Sequence, residues 1–329
     1  MASSVSYYDL HGTGMRVTCP DASVRQRIEA VFAPFATSPK TVEIDLALAL
    51  VDALPAWAPT GQIVSESRLL RCALSGDLLS AHFPRWGTVT VDLTSGEIRG
   101  HLLPAALEHY GAFDDMIIIL LGPLLRRRGL FSIHAFAAAR HDQAVLLVGD
   151  IGAGKTTTGL ALLDAGWRLI SNDSPLLSQV DSTVQANAYP GLLAAYDDTL
   201  ARFPSLRGFM GDPQAPAVKR AFAAQEAFPD VWQLQAPARL LLFPRVSAGL
   251  RTSHVEPLSA ADALLALVPN SIERWDRPYI PRHLAMLQAL VQQAPAYRLC
   301  LAPDVPALPG LIEGLLGRRP AGATEFSSG

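Results

Sequence analysis

Three observations predict an α/β fold. From about His101 onward, helical apolar spacing alternates with short apolar runs of strand character, the pattern that layers helices on a sheet. A glycine-rich segment, Gly149-Asp150-Ile151-Gly152-Ala153-Gly154-Lys155-Thr156, joins one such strand to one such helix. Before residue 101 the chain instead reads as β-rich with one clear helix. The sequence therefore divides into a small α+β N-terminal domain (1–100), an α/β domain (101–318) and a disordered tail (319–329).

Composition supports a folded, buried core. Half of the 329 residues are hydrophobic and only 17% are charged, which argues against disorder. A net charge of −3 gives no field to attract nucleic acid or an anionic membrane. The most apolar stretch, residues 116–125, is about half a membrane span. It is broken by Pro123 and flanked by Asp114, Asp115 and the Arg126-Arg127-Arg128 run, so a buried helix is expected. The arginines there are read as a cluster that complements the negative end of that helix. Cys19, Cys72 and Cys300 share no C-x-x-C spacing, so neither a disulfide framework nor a zinc site is expected. The first dozen residues carry no signal-peptide pattern, and a cytoplasmic location is the resulting expectation. Of 27 basic residues three are lysines, Lys40, Lys155 and Lys219, leaving 24 arginines.

Along the chain, residues 15–19 read as a strand, 22–35 as a helix with Ile28, Val31 and Phe32 on one side, and 42–51 as a strand. Residues 87–93 and 97–100 flank Thr94-Ser95-Gly96 as a hairpin. Residues 102–125 carry helical spacing interrupted at Gly111, and 130–138 and 144–148 form strands about a turn at 140–143. A helix at 156–165 is closed by Gly166, and 167–171 is a strand. Residues 189–237 are rich in proline and glycine, the length and composition of a lid or binding segment. A strand at 239–243, a helix capped by Ser259 and Asp262, a helix at 281–293, a strand at 297–301 and a helix at 308–316 complete the chain.

The glycine-rich segment satisfies G-x-x-x-x-G-K-[ST] in its strand–loop–helix context. Glycines let successive N–H groups face one point, and the helix N-terminus adds partial positive charge there. Residues 149–157, from Gly149 to Thr157, are accordingly the candidate nucleotide-binding residues, although Thr157 and Thr158 also suit a helix start. Lys155 can reach the outer phosphates, and the Thr156 hydroxyl can ligate Mg²⁺.

Two further residues converge on this loop. In a hairpin turning between His141 and Asp142, His134 falls opposite Gly149, near the phosphates. If the strand at 167–171 runs parallel to that at 144–148, Asp173 emerges at the same edge. There it can bind Mg²⁺ or take a proton from an attacking hydroxyl. Asp150, inside the loop, is close enough to assist. Three cations are candidates for clamping a γ-phosphate: Lys219, Arg220 and Arg245.

Ser132-Ile133-His134-Ala135 followed by VLLVGDIGAGKTTTGLALLDAGWRLISND resembles HPr kinase/phosphorylase and its stand-alone kinase relatives. The resemblance is specific over residues 131–175 and looser at Tyr189-Pro190-Gly191, Lys219-Arg220 and 241–245. It implies a phosphoenolpyruvate carboxykinase-type P-loop domain with a mixed sheet, ATP and Mg²⁺ held by Lys155 and Thr156, Asp173 as catalytic base and metal ligand, and His134 assisting at the γ-phosphate. Two departures stand out. Asn172 replaces the first of the family's two aspartates, and no acidic-Arg-Gly-[Leu/Ile]-Gly stretch comes after it. HPr as acceptor and a phosphorylase activity are therefore disfavoured. Compact relatives act on precursor peptides of lasso-peptide type or on small hydroxylated metabolites. The expected activity is ATP-dependent phosphorylation of a serine-type hydroxyl on a peptide, protein or metabolite. The alternative is a nucleotide-dependent switch or ATPase without an acceptor, and a homo-oligomer is left open.

Overall fold

The computed structural model describes residues 4–109, 111–212 and 218–317. The expected tail at 319–329 lies outside the described residues. β1 (Ser4–Leu10) and β2 (Thr13–Cys19) form a hairpin, followed by α1 (Ala22–Phe32) and β3 (Ile44–Leu50). β4 (Gln62–Glu66), β5 (Arg71–Ser75), β6 (Leu78–Phe83), β7 (Gly87–Asp92) and β8 (Glu97–Leu102) then meander. Among the described residues these make one eight-stranded sheet in the order β1-β2-β3-β8-β7-β6-β5-β4. α1 ends ahead of Pro34 and continues only as a 3₁₀ turn, shorter than the helix expected over 22–35.

The sheet's last strand extends to Leu102, where the sequence pattern placed helix. Beyond it, Pro104 and Gly111 divide the helical stretch into α2 (Ala105–Glu108) and α3 (Ala112–Arg127). α3 is the buried apolar helix expected from composition, and it tolerates Pro123. Its arginine run does more than offset the helix dipole. Arg126 and Arg127 both bind Asp276, at 2.9 and 3.0 Å, and Arg126 and Asp276 are nearly inaccessible. Arg128 meets Glu43 at 3.5 Å. Among the described residues no helix is long and apolar enough to cross a membrane.

The strand expected at 130–138 is two strands, because the chain changes partners at His134. β9 (Phe131–Ser132) pairs with β13 (Leu176–Val180), whereas β10 (Ala135–Arg140) pairs with β11 (Gln143–Val148). After α4 (Lys155–Asp164) come β12 (Arg168–Ser171), β13 and β14 (Thr183–Asn187). The proline- and glycine-rich span holds β15 (Leu193–Ala195), α5 (Asp197–Leu200), β16 (Arg220–Phe222) and α6 (Ala224–Ala227). β15 and β16 pair, so short elements, a two-stranded pairing among them, interrupt this span. β17 (Gln235–Val246), β18 (His254–Leu258), α7 (Ala260–Leu267), α8 (Ile280–Gln293), β19 (Ala296–Leu301) and α9 (Leu308–Leu316) end the fold. Ser259 caps α7 by accepting from the Asp262 N–H at 3.1 Å, as its spacing predicts.

The second sheet is mixed: β10–β11 are antiparallel, while β11–β17 and β17–β19 are parallel. Its order is β12-β10-β11-β17-β14-β13-β9, with β19 on β17 and β18 on β19. Two apolar clusters cover its faces. One joins α3 and the first sheet to residues such as Leu146, Ile170 and Leu241. The other packs α4 and α9 on Phe136, Val145, Leu147 and Leu242. Alternation along β11 sends Leu146 to one cluster and Leu147 to the other, as period-two strands require.

Candidate functional site

The site sits where β11 hands over to α4. The β10–β11 turn places His141 and Asp142 at φ 50° and 55°, the geometry of a two-residue hairpin turn that matches strand twist. Its register puts Ala135 opposite Val148, which leaves His134 and Gly149 as the next residues of the two strands. The chain then curls through residues 149–154. Gly154 holds φ 103° with Leu301 so close that a Cβ would lie 2.4 Å from its Cδ1. Only glycine suits both the left-handed backbone and the contact. α4 starts at the next residue, which sets the end of a helix whose first N–H groups lack partners within the helix directly after the loop.

Lys155 is 8% exposed, and its ammonium is tied down by the chain's own groups. Nζ donates to the Gly149 and Asp150 carbonyls, at 2.5 and 3.2 Å, and lies 3.1 Å from His134 Nε2. An ammonium can only donate, so Nε2 is the acceptor and the proton of the neutral ring sits on Nδ1. That N–H faces Asp173 Oδ1 at 3.3 Å. Burial holds His134 below its ordinary value, with Lys155 adding to the effect and Asp173 and Asp150 opposing it, so the ring is neutral at pH 7. Burial likewise lowers Lys155, and the Asp173 and Asp150 charges resist the shift.

Backbone pairing explains how His134 and Asp173 meet across 39 positions. The Ile133 N–H donates to the Pro175 carbonyl at 3.1 Å and the Ala135 N–H to the Asp173 carbonyl at 3.0 Å. The strand before Asp173, β12, is not a neighbour of β11. It pairs antiparallel with β10, which pairs antiparallel with β11. β12 and β11 thus point the same way with β10 between them, and Asp173 leaves the sheet at the loop's edge.

A cleft of about 490 Å³ joins these groups. His134, Asp150, Lys155, Thr156, Asp173 and Lys219 line it, together with Ile151, Gly152, Gly154 and Thr157 of the loop. Gly149 and Ala153 do not line it, although Gly149 anchors Lys155 through its carbonyl. The Ile151 side chain is 94% exposed, so it brings backbone rather than side chain to the concavity. Lys219 lies over the Tyr196 ring, 5.9 Å from its centroid.

The other two cations expected at the γ-phosphate stand elsewhere. Arg220 is drawn into a pair with Asp197 at 3.3 Å and lies against Gly211, where a Cβ would fall 2.0 Å from the guanidinium carbon. Arg245 is exposed on β17 and does not line the cleft, whereas its neighbour Val246 does. Asn172 donates through its amide to the Leu192 carbonyl at 3.1 Å and so braces the segment after Tyr189.

Sequence reading missed Asp115. It stands in the first turn of α3 and lines, with Asp114, Asn172 and Asp173, a small recess beside the cleft. The recess is open to water, yet surrounding protein raises the Asp115 carboxyl to about 6, and the Asp114 and Asp173 charges add to the rise against Lys219. Its only sequence signal was a pair of aspartates at a helix start. The cysteines are unbridged. Cys300 does stand with His254 and Glu256 on β18 and β19, their ligating atoms within 4.8 Å of one another, a grouping invisible to cysteine spacing.

No protein-family model and no curated protein matches the chain. Among solved structures, the HPr(Ser) kinase/phosphatase from Coxiella burnetii is similar at 15% identity and a TM-score of 0.30, over 56% of this chain and 93% of that one. A functional reading therefore rests on the cleft itself.

Proposed function

We propose that the chain is an ATP-dependent phosphotransferase of the P-loop, HPr kinase-like type that phosphorylates a serine-type hydroxyl on a peptide, protein or small metabolite. The observation that carries this reading is the line Lys155–His134–Asp173, at 3.1 and 3.3 Å, along one wall of a cleft floored by the glycine-rich loop. In the step proposed, the acceptor oxygen bonds to the γ-phosphorus while the bond from phosphorus to the β–γ bridging oxygen breaks. The hydroxyl proton passes to the Asp173 carboxylate, and ADP and the phosphorylated acceptor result. His134, neutral and donating from Nδ1 towards Asp173, orients that carboxylate. Lys155 and the loop N–H groups meet the charge carried by the phosphoryl oxygens, and Lys219 is the cation best placed to join them. The Thr156 hydroxyl and the Asp173 carboxylate are the oxygen donors that suit Mg²⁺, and both line the cleft. When bound, the ion would neutralise phosphate charge.

The test is incubation with labelled ATP, Mg²⁺ and candidate acceptors, read by mass spectrometry. Asp173→Ala is expected to lower transfer by roughly 10²–10⁴-fold with ATP binding retained, and Lys155→Ala to lose ATP binding. Undiminished transfer in Asp173→Ala removes the base role. Steady hydrolysis with no phosphorylated acceptor favours the switch or ATPase reading, and a parent protein that binds no nucleotide overturns both.

A further inference from the structure

A recess of about 190 Å³ lies where the two sheets meet, and it shares no lining residue with the cleft at the glycine-rich loop. Cys72 and Leu79 of the first sheet, Ser132 of the second and one side of α3 line it, with Glu273 and Trp275 from the segment after α7. Gly122 keeps it open. This glycine stands inside α3 and lines the recess, and a Cβ added there would meet nothing within 4 Å. Glycine is a poor helix former, so the helix is weakened where the space is left. Arg126 gives the recess its chemistry. It is 3% exposed, its Nε donates to Asp276 at 2.9 Å, and its Nη2 has no hydrogen-bond partner among the described residues. Arg127 binds the same carboxylate at 3.0 Å. Two guanidinium groups thus face one buried carboxylate, and one positive charge is left over. A buried N–H without an acceptor, and a buried charge without a counter-ion, are costly until a ligand supplies them. The Trp275 ring, 6.0 Å from the guanidinium carbon, attracts the charge with its face but brings no oxygen to the N–H. Glu273 is exposed, where water screens it.

We infer that this recess binds a small monocarboxylic acid, its carboxylate on Arg126 and its apolar body against Leu70, Leu79, Ile118 and Ile119. A guanidinium offers parallel N–H donors that match the two oxygens of a carboxylate, and the Ser65 and Ser132 hydroxyls of the lining can add to them. An apolar wall with a few polar groups suits hydrocarbon behind one charged group. The size agrees, since an engineered apolar cavity of about 150 Å³ holds benzene. Benzoate or a six-carbon fatty acid is of that order. Arg126 is the one cation of the lining among the described residues, which suits a single carboxylate better than a phosphate dianion. The recess would bind the acid whatever reaction the cleft performs.

Calorimetry at pH 7 with benzoate, hexanoate and their neutral amides tests the assignment. At least one acid is expected to bind the full chain with a Kd below about 1 mM. It should exceed its own amide by at least about tenfold, because the amide forfeits the hydrogen bond between charged partners. Gly122→Leu places a side chain in the open space and should abolish binding of the acid. Arg126→Met, in which Asp276 keeps Arg127 as its partner, should erase the preference for acid over amide. Urea unfolding establishes that each variant is folded, and if one is not, the other decides. A parent that binds neither acid, amides that bind as tightly as their acids, or undiminished binding of the acid in a folded variant overturns the site.

Discussion

Replacing Gly159 with alanine tests whether the helix that carries Lys155 is seated by the absence of a side chain. Gly159 lies in α4 over the ring of Phe136 in β10, and an added Cβ would stand 2.5 Å from Cε2 and Cζ and 2.6 Å from Cε1. Carbon atoms pack at roughly 3.5–4.0 Å, so the helix or the ring must give by about 1 Å. The ring has nowhere to go, being 0% exposed among Val145, Leu147 and Leu160. Overpacking of this kind costs up to about 3 kcal/mol, and the better helix propensity of alanine returns about 1 kcal/mol. The expected net loss is therefore about 2 kcal/mol. Urea unfolding should show it as a lower midpoint with an unchanged slope. Adding Phe136→Leu should make the pair of changes less harmful than their sum by about 1 kcal/mol. A Gly159→Ala protein as stable as the parent would refute the reasoning, because propensity would then have outweighed contact.

Three further outcomes are expected. His283, 1% exposed, is lowered from 6.5 to about 4 by burial and then by Arg126. Below pH 6.5 the unfolded chain takes up a proton that the folded one refuses until about pH 4. The stability this supplies is complete above 6.5 and declines by about 3 kcal/mol as pH falls through the window. His283→Gln should lack that decline in urea midpoints taken at pH 7 and pH 4, and parallel profiles would count against it. Asp115 works with the opposite sign. Its folded value is raised from 3.8 to about 6, so stability is lost as pH rises across that range. Asp115→Asn should flatten the profile there, and an unchanged slope would show the carboxyl to be solvated. Asp276→Ala strands Arg126 in the core beside Trp275, and a loss of about 3–5 kcal/mol is expected. A loss below about 1 kcal/mol would mean that water reaches the guanidinium.

The scarcity of lysine bears on the site in a specific way. Lys155 is buried at the loop, Lys219 lines the cleft, and Lys40 pairs at the surface with Asp9 at 2.6 Å. A compact ammonium on a flexible stem fits between backbone carbonyls, where a planar guanidinium would not. Arg220 shows the contrast, its planar fork laid against Asp197 and the flat surface of Gly211.

What the sequence determined by itself is whatever depends on neighbours in the chain. Glycines that must take a left-handed backbone, a lysine at a helix start, a serine cap and a His-Asp turn all act within a few residues. The loop, α4, α7 and the β10–β11 register, and with it the place of His134, were legible for that reason. The approach of Asp173 came from strand direction, although the intervening β10 did not. Tertiary structure alone decided the rest. Asp115 shares a recess with Asp173 only because α3 packs against the second sheet. Arg126 and Arg127 find Asp276 some 150 positions away. The apolar recess at the start of α4 is assembled from α4, α5 and the ends of β17 and β19. Charges and apolar walls of this kind attract or exclude by distance in space, and chain separation carries no record of that distance until the core has closed.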